Sequence, residues 1–472
     1  MQLRALLAEA GMTGAPIAGA GDPEVATIEI DSRRVVAGSL FGCVPGAVTD
    51  GHRHAGAAVA AGAVALVVER PVEAQVPQVV VPSTRAALGP LAAALWGAPS
   101  AAMAVVGVTG TNGKTTTVGL LAAIFAAHGW TTATIGTLTQ VRTTPEAPDL
   151  QRRLAELRAA GTRAVAMEVS SHALDQHRVD ATHFAAGVLT NVTQDHLDYH
   201  GSMQAYFEAK ARLFEPGRAA LAVVNRDDAW GQRLLERLRG GPTPTVSFGL
   251  GDADGLNLSP GGSRFTWRGV PVALPLAGRF NVANALAAAT TAADLGIATD
   301  TIAAGLAAAP AVPGRFERFD AGQPFTVVVD YAHTPDALAA VLRAAREVAT
   351  GRTIVVFGAG GDRDRAKRPL MGAAAASGAD LAVVTSDNPR SEDPAAIIAE
   401  VLAGTGGAAS IETVPDRRAA IARALDVARP GDVVVVAGKG HEQGQDHGGR
   451  IDPFDDATEV RSALAALGWD AS

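Results

Sequence analysis

Four of the 40 basic residues are lysines, Lys114, Lys210, Lys367 and Lys439, and the remainder are arginines. An amine kept in a chain that otherwise writes Arg has a chemical reason: a buried lysine can lose its proton, and an arginine cannot. Lys114 lies in "GVTGTNGKTTT" (107–117), between an apolar run and the helical "VGLLAAIFAAHG". Glycines in such a turn let backbone N–H groups converge on phosphate oxygens, and the helix N-terminus adds the positive end of its dipole. Gly110, Thr111, Asn112, Gly113, Lys114, Thr115 and Thr116 would form the cradle, with Lys114 on the β- and γ-phosphates and the Thr115 hydroxyl on Mg²⁺. The spacing departs from G-x4-G-K-[ST], since Val108 stands where the first Gly is required and Gly107 is one place early. An ordinary Gly-rich turn is the alternative; the strand–loop–helix context points to ATP.

Two further segments hold metal-binding residue types. "AMEVSSHALDQHRV" (166–179) and "LTNVTQDHLDYHGSMQAYFEAKARLF" (189–214) offer Glu168, Asp195, His196 and Asp198 close to strand ends. Hard oxygen and imidazole donors there suit Mg²⁺ beside nucleotide phosphates. Singly, each could equally be a structural hydrogen bonder. For Lys210 the alternative is a surface lysine on an amphipathic helix. "FGAGGDRDRAKRPLMG" (357–372) fails as a dinucleotide fingerprint, because the third Gly of G-x-G-x-x-G falls on Arg363. Its basic residues offer carboxylate or phosphate contacts instead, with a solvated charged loop as the alternative.

These residues need strands to position them. "MAVVGV" (103–108), "RAVAMEV" (163–169), "AAGVLTNV" (185–192), "FTVVVDYA" (325–332), "TIVVFGAGG" (353–361), "LAVVTSDN" (381–388) and "DVVVVAGKG" (432–440) are short apolar runs, each leading into a turn and an Ala/Leu-rich stretch. The pattern predicts α/β domains with parallel sheets covered on both faces, and chemistry at the carboxyl ends of the strands. Breaks at "WGAPSAA" (96–102) and "AAPAVPGRFERF" (308–319) divide the chain into about 1–100, 101–313 and 314–472. The expected parts are an N-terminal domain, a central parallel-sheet ATPase domain with the phosphate loop, and a Rossmann-like C-terminal domain.

Composition excludes other classes. A net charge of −8 gives no global basic field for nucleic acid. Cys43 is alone, so no internal disulfide or Cys-based metal site is expected. "MQLRALLAEAG" does not read as a signal peptide. The most apolar window, 55–69, falls short of the ~20 residues of a membrane span. A cytoplasmic monomer is the expectation.

The G-T-N-G-K-T-T loop resembles that of the Mur ligases, ATP-dependent amino-acid-adding enzymes of peptidoglycan synthesis, and of their folylpolyglutamate synthase relatives. The resemblance extends over all three parts in the family's order. It implies that Glu168 and His196 help hold Mg²⁺, and that Lys210 takes up CO2 to become N6-carboxylysine, an anionic metal ligand. It implies that Ser170, Gln176, Arg178, Thr143 and Thr144 contact a UDP-N-acetylmuramoyl-L-Ala-D-Glu substrate. An Asn that some members carry before those threonines is Arg142 here. In "IDSRRVVAGSLFGCVPGAVTDGH" (30–52), Ile30, Ser32, Ala47, Val48 and Thr49 match uridine contacts. Arg315 of "PGRFERF" and Asp330 of "VDYAHTPDAL" would touch phosphate and ribose. Asn281 and Asn284 would lie near adenine, with helix capping as their alternative. "SDNPRSEDP" (386–394) resembles the members that add meso-2,6-diaminopimelate rather than L-lysine. Diaminopimelate has a second carboxylate, and Arg390 can grip one bidentately. Asp387, Asn388, Pro389, Gly438, Glu442 and Arg363 would complete that pocket. His172 and His177 are left as structural residues. A lysine-adding ligase, a folylpolyglutamate synthase and a non-catalytic nucleotide-dependent binding module are the other readings.

Overall fold

Valine and isoleucine at consecutive positions make a strand apolar on both faces, which only a sheet covered on both sides can bury. All seven such runs are strands in the computed structural model, which describes residues 1–46, 49–140, 142–407 and 409–469. Three of them belong to a six-stranded parallel sheet in the order 245–248, 222–225, 186–189, 104–109, 164–168, 132–135. Neighbours there pair parallel throughout. The other four belong to a second six-stranded sheet, in the order 317–319, 326–330, 433–437, 353–357, 381–384, 410–413. Only its first edge strand runs antiparallel. A five-stranded sheet precedes them, built on strands 27–29, 39–42, 63–68 and 78–80 with the short edge strand 17–18.

The expected α/β architecture with parallel sheets is therefore present three times over. Two smaller antiparallel pieces were not foreseen: a three-stranded sheet over 254–274 and a hairpin of Gly444–His447 with Arg450–Pro453. Their strands are partly exposed and interrupted by Gly, so they lack the continuous apolar signal of the buried strands.

Packing sets where the site can lie. Helix Lys114–Ala127 is covered by helix Arg279–Asp294, whose alanines bring the two backbones close. The first and central sheets are joined by Arg34 with Asp149 (2.8 Å) and by Arg152 with Glu29 (3.1 Å). The connection to the last sheet is short. Val312 lies against Gly119 of helix Lys114–Ala127, while Gly314 is wedged against Gly440 and the His441 backbone, where a Cβ would collide. Arg279 with Glu347 (2.8 Å) adds a surface tie.

Beside the carboxyl end of strand Val433–Ala437, Arg417 and Asp456 form a fully buried ion pair at 2.7 Å. The guanidinium binds the carboxylate through Nε and Nη2 and also donates to the Ala437 carbonyl. Two charges taken out of water together are tolerated, but one left alone is not. Arg417→Ala should therefore destabilise the protein by about 3–5 kcal/mol. Arg417→Met combined with Asp456→Leu should recover most of the loss, and urea titration of the three proteins measures both effects.

Candidate active site

The buried strand Ala104–Thr109 ends in a loop held against the segment that follows the neighbouring strand Ala186–Leu189. Thr111 N–H donates to the Asn191 carbonyl (2.9 Å), and Asn112 N–H donates to Asn191 Oδ1 (3.0 Å). Thr190 Oγ donates to the Asn112 carbonyl (2.6 Å). Gly110 has φ 150°, and a Cβ there would strike Thr190 Oγ. Four hydrogen bonds then converge on Lys114, Lys210 and Tyr206. The Gly110 carbonyl accepts from Lys114 Nζ at 2.9 Å and from Lys210 Nζ at 2.7 Å. Lys114 also donates to the Thr111 carbonyl (2.9 Å), and Tyr206 Oη bonds Thr111 Oγ (3.2 Å).

Lys210, on helix Met203–Ala211, is 1% exposed, and its Nζ sits 4.4 Å from the centroid of the Tyr206 ring. Burial, and after it the charge of Lys114, push its ammonium well below the usual lysine range. Burial also lowers Lys114. Lys210 stands behind the loop carbonyl rather than on the wall of the cavity described next.

That cavity, of about 490 Å³, opens between the two six-stranded sheets. Thr111–Thr116, Glu168, Ser170 and Asn284 line one side, and Arg315, Asp330, Tyr331 and His333 line the other. Glu168 ends strand Ala164–Glu168 and is 1% exposed. It accepts from Thr115 Oγ (3.1 Å), Thr137 N–H (2.9 Å) and Thr137 Oγ (3.3 Å). No Lys or Arg pairs with it among the described residues. An ionised carboxylate buried without a cation is costly, so this one is suited to a metal ion. Arg315 crosses from the other side, donating to Thr115 Oγ at 3.1 Å. Asp330 accepts from Phe316 N–H (2.7 Å), and burial pushes its carboxyl up to about 6. Asn284 lines the cavity, whereas Asn281 donates to the Ala277 carbonyl at the start of its helix (2.8 Å).

Asp195 sits between His196 (3.3 Å) and His333 (3.9 Å). His196, in the left-handed backbone region at φ 54°, packs edge-on against His172. The protein around its ring pushes His196 down to about 3, and burial likewise pushes His200 down to about 4. Asp198 is on the adjacent short helix Leu197–His200. Among the described residues no three His, Cys, Asp or Glu side chains form a metal cluster unaided.

The remaining expected residues fall into three groups. Thr143 bonds Thr137 (3.1 Å) on the cavity wall. Thr144 receives Ser170 N–H (3.1 Å), and Arg178 donates to the Thr144 carbonyl (3.2 Å) and to Gln176 Oε1 (2.6 Å). Arg178 pairs with Glu146, which also meets Arg85, so this chain runs towards the first sheet. There Ile30 and Ser32 follow strand Thr27–Glu29, and Thr49 Oγ bonds His54 Nε2 (3.1 Å). Ala47 and Val48 lie outside the described residues.

The third group gathers at strand ends of the last sheet. Arg390, at φ 51°, donates through Nη1 to the Gly361 carbonyl (2.6 Å), and its backbone N–H donates to the Asp446 carbonyl (2.9 Å). Asn388 Nδ2 donates to Glu442 Oε2 at 2.7 Å. Pro389 follows, and Asp387 is packed against Gly438. Arg363 is exposed. Tyr331 links this group to the cavity: its hydroxyl donates to Glu442 Oε1 (3.4 Å), and the Arg315 guanidinium lies 4.5 Å from its ring centroid. Sequence reasoning gave no role to Tyr331, His333 or Asp446. The first two stand within the quoted "VDYAHTPDAL", and the Gly-Gly tip of the hairpin was the available signal for the third.

Residues 108–292 match the Mur ligase middle domain, 314–440 the Mur ligase glutamate ligase domain, and 24–96 the Mur ligase family catalytic domain. The chain belongs to the Mur ligase family. This Mur ligase is 46% identical to the UDP-N-acetylmuramoyl-L-alanyl-D-glutamate–2,6-diaminopimelate ligase of Streptomyces coelicolor, over 94% of this chain and 93% of that protein. It is 44% identical to the ligase of the same name from Geobacillus thermodenitrificans, over 98% and 99%. A solved structure of a protein of that name superposes with a TM-score of 0.67 at 34% identity, covering 94% and 95% of the two chains. The MurF ligase of Thermotoga maritima in complex with ADP shares the fold, with a TM-score of 0.66 at 20% identity over 94% and 97%.

The depressed imidazole of His200 has a consequence for this Mur ligase's stability. The unfolded histidine takes its proton near pH 6.5 and the folded one only near about 4. This contribution is complete above pH 6.5 and is lost as pH falls towards 4. His200→Gln should flatten the fall in Tm between pH 7 and pH 4.5, measured by calorimetry on both proteins.

Proposed function

We propose that this Mur ligase joins meso-2,6-diaminopimelate to the D-Glu of UDP-N-acetylmuramoyl-L-Ala-D-Glu, using ATP, in peptidoglycan precursor synthesis. The observation that carries the reading is that relatives 41–46% identical over at least 94% of this chain bear that name. Arg390 supplies the physical reason for the amino acid. With Nη1 held by the Gly361 carbonyl, the guanidinium is oriented in advance, and its other edge can take a carboxylate that lysine lacks.

The first part, about 1–100, would hold uridine through Ile30, Ser32 and the loop 47–49. The second, about 101–313, would hold ATP, and the third, 314–472, the amino acid. A γ-carboxylate oxygen of D-Glu attacks the γ-phosphorus of ATP, and ADP leaves. The amine of diaminopimelate then attacks the acyl phosphate carbon, phosphate departs, and the amine proton is lost to solvent. Positioning and charge neutralisation dominate such a transfer. Lys114 and the loop N–H groups receive the phosphates, Arg315 closes on them from the opposite wall, and Asp330 accepts from the ribose. Thr115, Glu168 and His196 would hold Mg²⁺, which neutralises phosphate charge when bound. A Lys210 amine held neutral by burial can add CO2 and release a proton, becoming a carbamate that serves as a further anionic ligand. The protein would act as a monomer in the cytoplasm. Among the described residues no helix is long and apolar enough to cross a membrane.

ADP release should require both the UDP-dipeptide and diaminopimelate, with kcat/KM for L-lysine lower by about a hundredfold or more, as expected when a half-buried guanidinium loses its partner. Comparable values for the two amino acids would refute the substrate choice.

Lys210→Arg should be nearly inactive, because a permanent cation would stand where an anion is needed. Lys210→Ala should be inactive but partly restored by formate or acetate, which enter the space the side chain leaves. Turnover of Lys210→Arg at the wild-type level would end the carbamate proposal.

A further inference from the structure

Lys439 is one of the four lysines, and its side chain is 0% exposed. It follows strand Val433–Ala437 at the amino-acid end of the last sheet and belongs to none of the functions assigned above. Its Nζ donates to Asn388 Oδ1 at 3.0 Å and to Glu442 Oε2 at 3.2 Å. Asn388 Oδ1 also accepts Asp446 N–H at 3.0 Å. Two donors on Oδ1 leave the amide one orientation, with Nδ2 turned to Glu442 Oε2. The other Glu442 oxygen accepts from Tyr331. One ammonium thus fixes the amide of the "DNPR" segment, the carboxylate of "AGKGHE" and, through Asp446, the hairpin that holds the Arg390 backbone. An ammonium offers three donors around one point; a planar guanidinium could not serve both acceptors in so closed a space.

We propose that Lys439 is a positioning and specificity-determining residue of the amino-acid site, orienting Asn388 and Glu442 and setting the local charge against a substrate whose distal end is only an ammonium. The role rests on the amino-acid site proposed above. The charges facing that site are Arg390 and Lys439 against Glu442 and Asp446, with Asp387 close by and the Arg417–Asp456 pair neutralised behind it. The distal end of diaminopimelate carries a carboxylate and an ammonium and is neutral overall. The distal end of L-lysine carries one positive charge. Removing the Lys439 charge makes the surroundings more negative by one unit. That change favours the lysine end over the diaminopimelate end, while the freed amide and carboxylate weaken the grip on diaminopimelate.

The test compares wild type with Lys439→Met, and with Lys439→Gln, a polar replacement that still serves Asn388 should the apolar variant fail to fold. In either variant the preference for diaminopimelate over L-lysine, as a ratio of kcat/KM values, should fall at least tenfold. KM for diaminopimelate should rise and KM for ATP should stay within twofold of wild type. A lysine that merely supports the fold would lower both amino acids alike. An unchanged ratio, or equal rises in the ATP and diaminopimelate KM, would overturn the role. Wild-type turnover with diaminopimelate separately tests the reading beneath it, so the two failures are distinguishable.

Discussion

One carbonyl oxygen, that of Gly110, receives two buried lysine side chains, and the chemistry of the site is organised around that crowding. Two ammonium ions sharing one acceptor in a place closed to water repel each other and lose hydration, so both are pushed towards the neutral form. Lys210 is the deeper partner and the more strongly shifted. The arrangement exists because residues 190–193 clamp the loop from the neighbouring strand, leaving Gly110 no room for a side chain. A depressed lysine beside the loop is thus a product of strand order: the strands at 104–109 and 186–189 must be adjacent for the clamp to form.

The cavity itself belongs to two sheets. Glu168 ends a strand of one and Thr115 opens the helix after its neighbour, Asp330 and Tyr331 come from a strand end of the other, and Arg315 lies across the gap. From Glu168 a continuous path of contacts runs through Thr115, Arg315 and Tyr331 to Glu442, and then through Asn388 to Lys439. The phosphate end and the amino-acid end are therefore parts of one polar structure rather than two pockets on one surface.

Much of this was legible before any coordinates. Seven apolar runs identified the two large parallel sheets, because a strand buried on both faces has nowhere to hide a polar residue. The rarity of lysine directed attention to Lys114 and Lys210, whose shared acceptor only the fold could reveal. The antiparallel sheet over 254–274 and the hairpin at 444–453 escaped, since half-exposed strands punctuated by glycine spell out the same text as loops. Tyr331 escaped for a different reason. Its significance lies in joining Glu442 to Arg315, residues 442 and 315 in the chain, and no local pattern records a contact at that separation.

The connection between the two large sheets locates the axis of any motion between them. Val312 is pressed against the phosphate-loop helix on one side, and Gly314 is wedged beneath Gly440 and His441 on the other. Only Pro313 lies between these two anchorages, and its ring removes one of its two soft torsions. Any rotation of one half on the other must pass through this short stretch, where Gly314, in the left-handed region at φ 63°, is held on both sides. Because Gly314 is seated against the loop that carries Glu442, any change in its angle would reach the amino-acid end of the cleft directly.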